Sequence, residues 1–421
     1  MELERVISCP QTLNKLRSGP LGMHLDGFCA WLLRRGFSRQ TIRMHLSNVS
    51  HFNEHLVRQR TVTGQLLCST DVAEFFAAYP SWCQCRGSLR AHLLRVRHSV
   101  SRFVEYLGEM GLFEPLLECE IHQPLLDAYL AWMAHYQHAA AGTLELRAQY
   151  LTAFLRWLGT EATPQGLATL TPDAVEAFFL AYAQKVGAAA RRSMQSTLRT
   201  FFRFCLYQGH VHASLDLAVP TLRTYKLASV PRGLTDGQAQ QVLQGVNRKT
   251  LVGRRDYAIL QLLFTYGVRG GQVRALCLDQ IDWIRNLILF EPAKGGKASL
   301  LPLTTEVGES LLDYLQNSRT PSPYHQVFLT TRAPYHPLPR SNSLSAIVDR
   351  CIRAADIDIP HKGAHVFRHA FATRMLQDGH SLKAVADVLG HRCLGTTFIY
   401  TKVDFNSLQQ VALDWPEEEQ L

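Results

Sequence analysis

Asp26-Gly-Phe-Cys-Ala-Trp31 returns 101 residues later as Asp127-Ala-Tyr-Leu-Ala-Trp132. The match continues in order. Thr41, Phe52 and Leu56 correspond to Thr143, Phe154 and Leu158 at an offset of 102. Ser69-Thr-Asp71 corresponds to Thr171-Pro-Asp173, also at 102, and each reads as a helix N-cap. Val100, Phe103, Tyr106 and Gly111 correspond to Leu198, Phe201, Phe204 and Gly209 at 98. A unit written twice folds twice, so the first half of the chain is restricted to two similar modules. Inside each, apolar residues recur three and four apart, as in Phe28, Trp31, Leu32 and in Leu46, Val49, Phe52, Leu56. That is the period of amphipathic helices facing a core. Each copy reads as a small helical bundle whose last, aromatic-rich helix is stopped by Gly111 or Gly209.

The 421 residues allow two or three domains, and 47% apolar against 19% charged residues excludes a disordered chain. The net charge of +9 favours a polyanionic partner. It is unevenly spread. Residues 1–100 hold 13 Lys and Arg against 6 Asp and Glu, and residues 151–250 hold 11 against 5. Residues 101–150 between them hold 2 against 7, as expected of a connector that stays off the polyanion.

A membrane partner is disfavoured. The chain opens acidic with no apolar run in its first twenty residues, which predicts no secretory signal. The most apolar stretch, Tyr257 to Val268, is too short to cross a bilayer. Ten scattered cysteines fit a reduced, intracellular compartment better than a disulfide framework. Cys83-x-Cys85 has no second pair at zinc-finger spacing, so no metal is expected.

From Ala213 to Gly233 the helical pattern breaks, and Pro220 and Pro231 mark a linker. Thr235 then caps a new helix, with Gln238 placed for a capping box. A helix over Asp256–Tyr266 ends at Gly267, with Arg269 just beyond it and a second helix from Gln272 to Leu276. Leu287–Phe290 and Leu300–Leu303 read as two strands of a hairpin with Lys294-Gly-Gly-Lys297 at its tip. Ser341–Asp356 reads as a helix, and the segment around His365 and Arg368 as another, on which these two residues share a face. The fold class expected is mainly α with a small antiparallel β-sheet. The expected division is two helical modules over 1–118 and 119–217, a linker over 218–234, and a mixed domain over 235–421.

The C-terminal region resembles the catalytic domain of the tyrosine recombinases, the integrase family that includes the Xer proteins and phage integrases. The resemblance rests on Tyr266-Gly-Val-Arg269, on Ala293-Lys-Gly-Gly-Lys297 with Leu301-Pro-Leu303, on His365-x-x-Arg368-His369, on Leu389-Gly-His391 and on Thr396-Thr-x-Ile-Tyr400-Thr. It spans about 40% of the chain, and five segments in the family's order are far more specific than any one of them. It implies a site-specific recombinase or integrase that cuts and rejoins DNA through a 3′-phosphotyrosyl intermediate, without metal or other cofactor. Tyr400 would be the nucleophile. Arg269 and Arg368 would clamp the phosphate, for which arginine's planar, always charged fork is suited. His365 would accept the tyrosine proton, His391 would hydrogen-bond the phosphate, and Lys294, in preference to Lys297, would protonate the leaving 5′ oxygen. His369 would pack beside the motif.

Three features depart from the family pattern. Gln272 stands where an acidic residue is common, Ser299 where an arginine often follows the hairpin lysines, and the helical half is doubled. The second module sits where the core-binding domain belongs, and the first is an extra arm. The implied partners are double-stranded DNA, other copies of the chain in a tetramer, and a second recombinase in some systems. The implied setting is the cytoplasm, at the nucleoid, with a mobile element as the beneficiary. The competing readings are a type IB-like topoisomerase and a catalytically weak DNA-binding accessory factor.

Overall fold

The computed structural model describes residues 2–59, 67–84, 88–114, 121–222, 233–292, 298–339, 343–360, 363–391, 395 and 397–403. The fold is mainly helical with a small antiparallel sheet, as the sequence predicts. By compactness it divides into two units, one joining residues 1–114 with 227–421 and the other holding 115–226.

The first module begins with two short helices, α1 (Glu2–Val6) and α2 (Pro10–Arg17). Four longer ones follow: α3 (Gly22–Arg34), α4 (Arg39–Arg58), α5 (Ser69–Trp82) and α6 (Leu89–Glu109). Phe28, Leu32, Leu46, Val49, Phe52, Leu56, Val100 and Phe103 fill its core, the stripes that the periodicity marks. A two-residue strand before α5 (β1, Leu67–Cys68) pairs in parallel with one after α6 (β2, Phe113–Glu114). Cys68 rather than Ser69 is the N-cap of α5, and Asp71 Oδ2 accepts from the Cys68 amide at 2.8 Å. The expectation of a serine cap is corrected by one residue, because Asp71 is placed three residues after Cys68 and accepts from its amide. Ala333, from the C-terminal region of the same unit, packs against this core.

The second unit repeats the four long helices as α7 (Gln123–Tyr136), α8 (Ala141–Leu158), α10 (Pro172–Lys185) and α11 (Ala188–Tyr207), with the short α9 (Pro164–Ala168) inserted before the third. The paired helices run 13 and 14, 20 and 18, 14 and 14, and 21 and 20 residues in the two copies. Thr171 caps α10 through its side chain, as predicted. Gly111 and Gly209 both take positive φ just past the last helix of their copy. Leu215 and Val219 are buried in the second core.

The C-terminal region opens with α12 (Asp236–Gln244), where Thr235 and Gln238 form the expected reciprocal cap. The buried helix α13 (Leu251–Tyr266) runs through its centre, and α14 (Gly270–Ala275) follows. Three strands, β3 (Ile281–Asp282), β4 (Leu287–Phe290) and β5 (Ser299–Pro302), form an antiparallel sheet in the order β3-β4-β5. β3 adds a short strand that two residues of sequence could not announce. Helices α15 (Thr305–Asn317), α16 (Ser343–Ala354), α17 (Ala364–Gln377) and α18 (Leu382–Val388) complete the described core, and a 3-10 helix spans Phe398–Val403. At the start of α13, the buried Asp256 carboxylate pairs with Arg255 at 2.8 Å and with Arg350 of α16.

Candidate active site

Four of the six residues singled out from the sequence, Arg269, Arg368, His391 and Tyr400, gather in the C-terminal region around one carbonyl oxygen and one phenol. Arg269 follows α13 directly, because Gly267 ends that helix at φ +57° and turns the chain. A side chain at Gly267 would also run into Phe371 of α17, so glycine is required there twice over. Arg368 sits on α17 and is almost fully buried. Its Nη1 donates to the Gly267 carbonyl at 2.9 Å and its Nη2 to the Leu389 carbonyl at 2.7 Å. Arg269 Nη1 approaches the same Leu389 oxygen at 3.5 Å, the outer limit of a hydrogen bond.

Both cations are therefore held by neutral backbone. Among the described residues, neither forms an ion pair with a carboxylate. Burial, then the neighbouring Arg269 charge, lowers the Arg368 pKa to about 10, still far enough above neutrality to keep the guanidinium charged. Two adjacent positive charges with carbonyl supports and no counter-ion make a ready site for a tetrahedral anion.

Tyr400 stands on the 3-10 helix with its ring buried among Ala372, Leu376, Val385 and Leu389 of its own chain. Burial raises its phenol pKa, while Arg368 and Arg269 oppose the rise. Its Oη lies 3.0 Å from Nδ1 of His369. His369 is thus the imidazole in contact with the phenol, where the sequence predicts packing beside the motif. The usable signal was its spacing: four residues past His365, it shares that residue's helix face. His365 itself is exposed, with its ring 6.5 Å from that of His369. It lines a cleft of about 530 Å³ together with Arg269, Gln272, Arg274 and Ser345.

His391 follows α18 and is half-buried. Its Nδ1 is 2.7 Å from the hydroxyl of the fully buried Thr397. Burial, then the two arginines, lowers its pKa to about 4, so the ring is neutral at pH 7. A neutral ring that accepts from Thr397 at Nδ1 carries its proton on Nε2.

Two contacts tie the Arg269 loop to the sheet. Tyr266 Oη donates to the Pro302 carbonyl at 2.7 Å, at the end of β5. Gln272 accepts from the Arg269 amide at 3.1 Å through Oε1 and donates to the Glu291 carbonyl at 3.0 Å through Nε2, just past β4. Both strands of the hairpin are thereby anchored to the turn that carries Arg269. Lys294 and Lys297, between these strands, lie outside the described residues, as do Thr396, Cys85, most of the expected linker and the segment after Val403. Among the described residues there is no cluster of side chains that could hold a metal ion, and no helix is long and apolar enough to cross a membrane.

Residues 232–407 match the family model described as the phage integrase family. A Sinorhizobium fredii protein, provisionally named integrase/recombinase y4rA, is 36% identical over 97% of this chain and 98% of its own. The tyrosine recombinase XerC of Oceanobacillus iheyensis is 27% identical over 68% of this chain and 93% of its own. Among solved structures, the XerH site-specific recombinase bound to palindromic difH substrate has a TM-score of 0.52 at 19% identity. It covers 72% of this chain and 99% of that one. The likeness to that structure is one of fold.

Proposed function

The chain belongs to the phage integrase family of tyrosine recombinases, and from that premise we propose that Tyr400 is the nucleophile with which it cuts and rejoins DNA at a specific site. The observation that carries this reading is the pair Arg269 and Arg368, held on one carbonyl without a carboxylate partner among the described residues, within electrostatic reach of the Tyr400 phenol. Phosphodiester transesterification needs a nucleophile, positive charge on the non-bridging oxygens, and a proton for the leaving oxygen. Tyr400 supplies the first and the arginines the second. His391, with its proton on Nε2, donates a further hydrogen bond to the phosphate. Lys294 on the hairpin supplies the third. The family resemblance gives His365 the phenol's proton, a role that would bring an exposed ring to a buried hydroxyl.

Double-stranded DNA is the substrate, bound mainly through phosphate contacts and hence with strong salt dependence. The division at 118, 217 and 234 assigns the second module to core-site binding and the first to an added arm. The arm's exposed Arg90, Arg95 and Arg97 on α6 suit it to further DNA. Four protomers act together on two sites. The doubled helical half and the relative named as an integrase favour service to a mobile element, in the cytoplasm at the nucleoid.

A plasmid bearing two copies of the cleavage site tests this. Exchange of the flanking segments between the two copies is expected. Relaxation of supercoils with no exchange would replace the reading with a topoisomerase. Unaltered function in cells with Tyr400→Phe would replace it with an accessory factor.

A further inference from the structure

We infer that His369, rather than His365, takes the phenolic proton of Tyr400 during strand cleavage and returns it on rejoining. This rests on the reading of Tyr400 as the nucleophile. The distance is direct: Nδ1 of His369 lies 3.0 Å from Oη, and the ring centroids are 5.5 Å apart. The imidazole is partly buried beside the phenol, whereas His365 is exposed one helical turn away.

Burial and the neighbouring groups keep the imidazole neutral. His369 faces His365 and Arg368 on its own helix and Tyr400 on the 3-10 helix. Burial, then these two cationic or basic neighbours, lowers its pKa to about 4. The ring is neutral at pH 7 and has one free lone pair. The phenol is protonated, since burial raises its pKa. The inferred transfer uses the tautomer with its proton on Nε2, in which the phenol donates and Nδ1 accepts across this contact. The helix is closely packed where His369 leaves it. The backbone of Gly233 passes so close that a methyl group there would meet His369 Cβ at 2.9 Å and the Ala370 amide at 3.0 Å.

The step balances. The Oη–P bond forms, the P–O5′ bond breaks, the phenolic proton moves to Nδ1, and the leaving 5′ oxygen takes a proton from the separate acid assigned to Lys294. On rejoining, the 5′-hydroxyl attacks phosphorus and gives its proton back to the group assigned to Lys294, the P–O5′ bond forms, the Oη–P bond breaks, and Nδ1–H returns its proton to Oη. A bound phosphate carries negative charge into the pair of arginines. That offsets the Arg368 repulsion of a protonated His369 and raises its basicity when the base is needed.

The test measures covalent adduct formation by the full chain on a nicked duplex that blocks rejoining and bears the site mapped from adducts in cells. His369→Asn and His369→Gln keep an acceptor but cannot carry the proton. Each is expected to slow the adduct step by roughly 100-fold or more, with partial recovery at alkaline pH and unchanged retention of the duplex. His365→Asn is expected to cost less. The His369 defect should persist on a duplex with a 5′-bridging sulfur, whose leaving thiolate needs no proton. Wild-type rates in both His369 variants would overturn the inference. So would rescue by the sulfur, which would put His369 on the leaving group, or a faster step, which would make the contact a lock on the nucleophile. Adducts formed by Tyr400→Phe would instead remove the underlying reading.

Discussion

Arg368 Nη2 donates to the Leu389 carbonyl at 2.7 Å, and the same oxygen lies 3.5 Å from Arg269 Nη1. One backbone atom of the Leu389-Gly390-His391 segment thus sets the spacing of the two cations and places the next imidazole beside them. A guanidinium holds Gly267 and Leu389 with two separate nitrogens and still presents N–H groups to a phosphate, whereas an ammonium must serve all three from one atom. Arg368→Lys is therefore expected to slow adduct formation by roughly 100-fold although the charge is retained. Single-turnover cleavage of a nicked duplex measures this, and a loss below tenfold would show that charge alone suffices.

Gln272 joins the Arg269 amide to the Glu291 carbonyl with one amide group, using both its donor and its acceptor. Its departure from the common acidic residue is thus a working contact. Gln272→Glu keeps the bond to Arg269 and sets a carboxylate against the Glu291 oxygen. A loss of about 1 kcal/mol in stability and a modest fall in cleavage are expected, with Gln272→Ala worse in both. Urea unfolding and the adduct assay check the order. A more active Gln272→Glu would mean that the acidic residue is the better support.

Thr397 fixes His391 through a 2.7 Å contact inside the core. Thr397→Val keeps the shape and removes the hydroxyl, so Nδ1 loses the partner that orients the ring and fixes its tautomer. The expected result is slower cleavage with little change in DNA binding, restored by Thr397→Ser. Equal activity in the valine and serine variants would separate the tautomer from catalysis.

Much of this arrangement was legible in the sequence for physical reasons. Periodic apolar stripes mark α3, α4, α6 and α11, Thr235 with Gln238 marks the start of α12, and Gly267 its neighbour's end, because each is a local signal. Leu287–Phe290 emerged with the bounds read from its apolar run. What stayed hidden depends on tertiary approach. The Leu389 carbonyl is a backbone atom that no side chain announces. β1, β2 and β3 are two residues each, too short for alternation to appear. His369 follows the motif arginine and reads as packing in the sequence, and only the distance to Tyr400 Oη brings it to the phenol.

Asp256 is buried between Arg255 and Arg350. Removing the carboxylate leaves Arg255 charged in the core. Asp256→Ala is expected to destabilise the chain by about 3–5 kcal/mol, read as a shift in the urea midpoint. A shift under 1 kcal/mol would show that the arginines relax into water.

Acid is expected to destabilise the fold in a defined window. His45, buried against Ser99 in the first module, and His369 and His391 in the C-terminal region all have pKa values lowered to about 4 from 6.5. The unfolded chain therefore binds more protons than the folded one between these values. Stability is fully present above pH 6.5 and falls as the pH drops toward 4. Thermal unfolding across this range measures it, and His45→Gln should flatten the decline. A melting temperature constant over the window would contradict the burial of neutral histidines.

The most direct measurement of the central claim compares wild type with Tyr400→Phe in cells that carry the native DNA. The cells are lysed in denaturant, protein-linked DNA is recovered, and its ends are sequenced. The account predicts adducts with the wild type alone, ending at 3′ phosphates within one inverted-repeat site. Adducts of equal yield from Tyr400→Phe would contradict it, because the phosphorus would then be held by another residue.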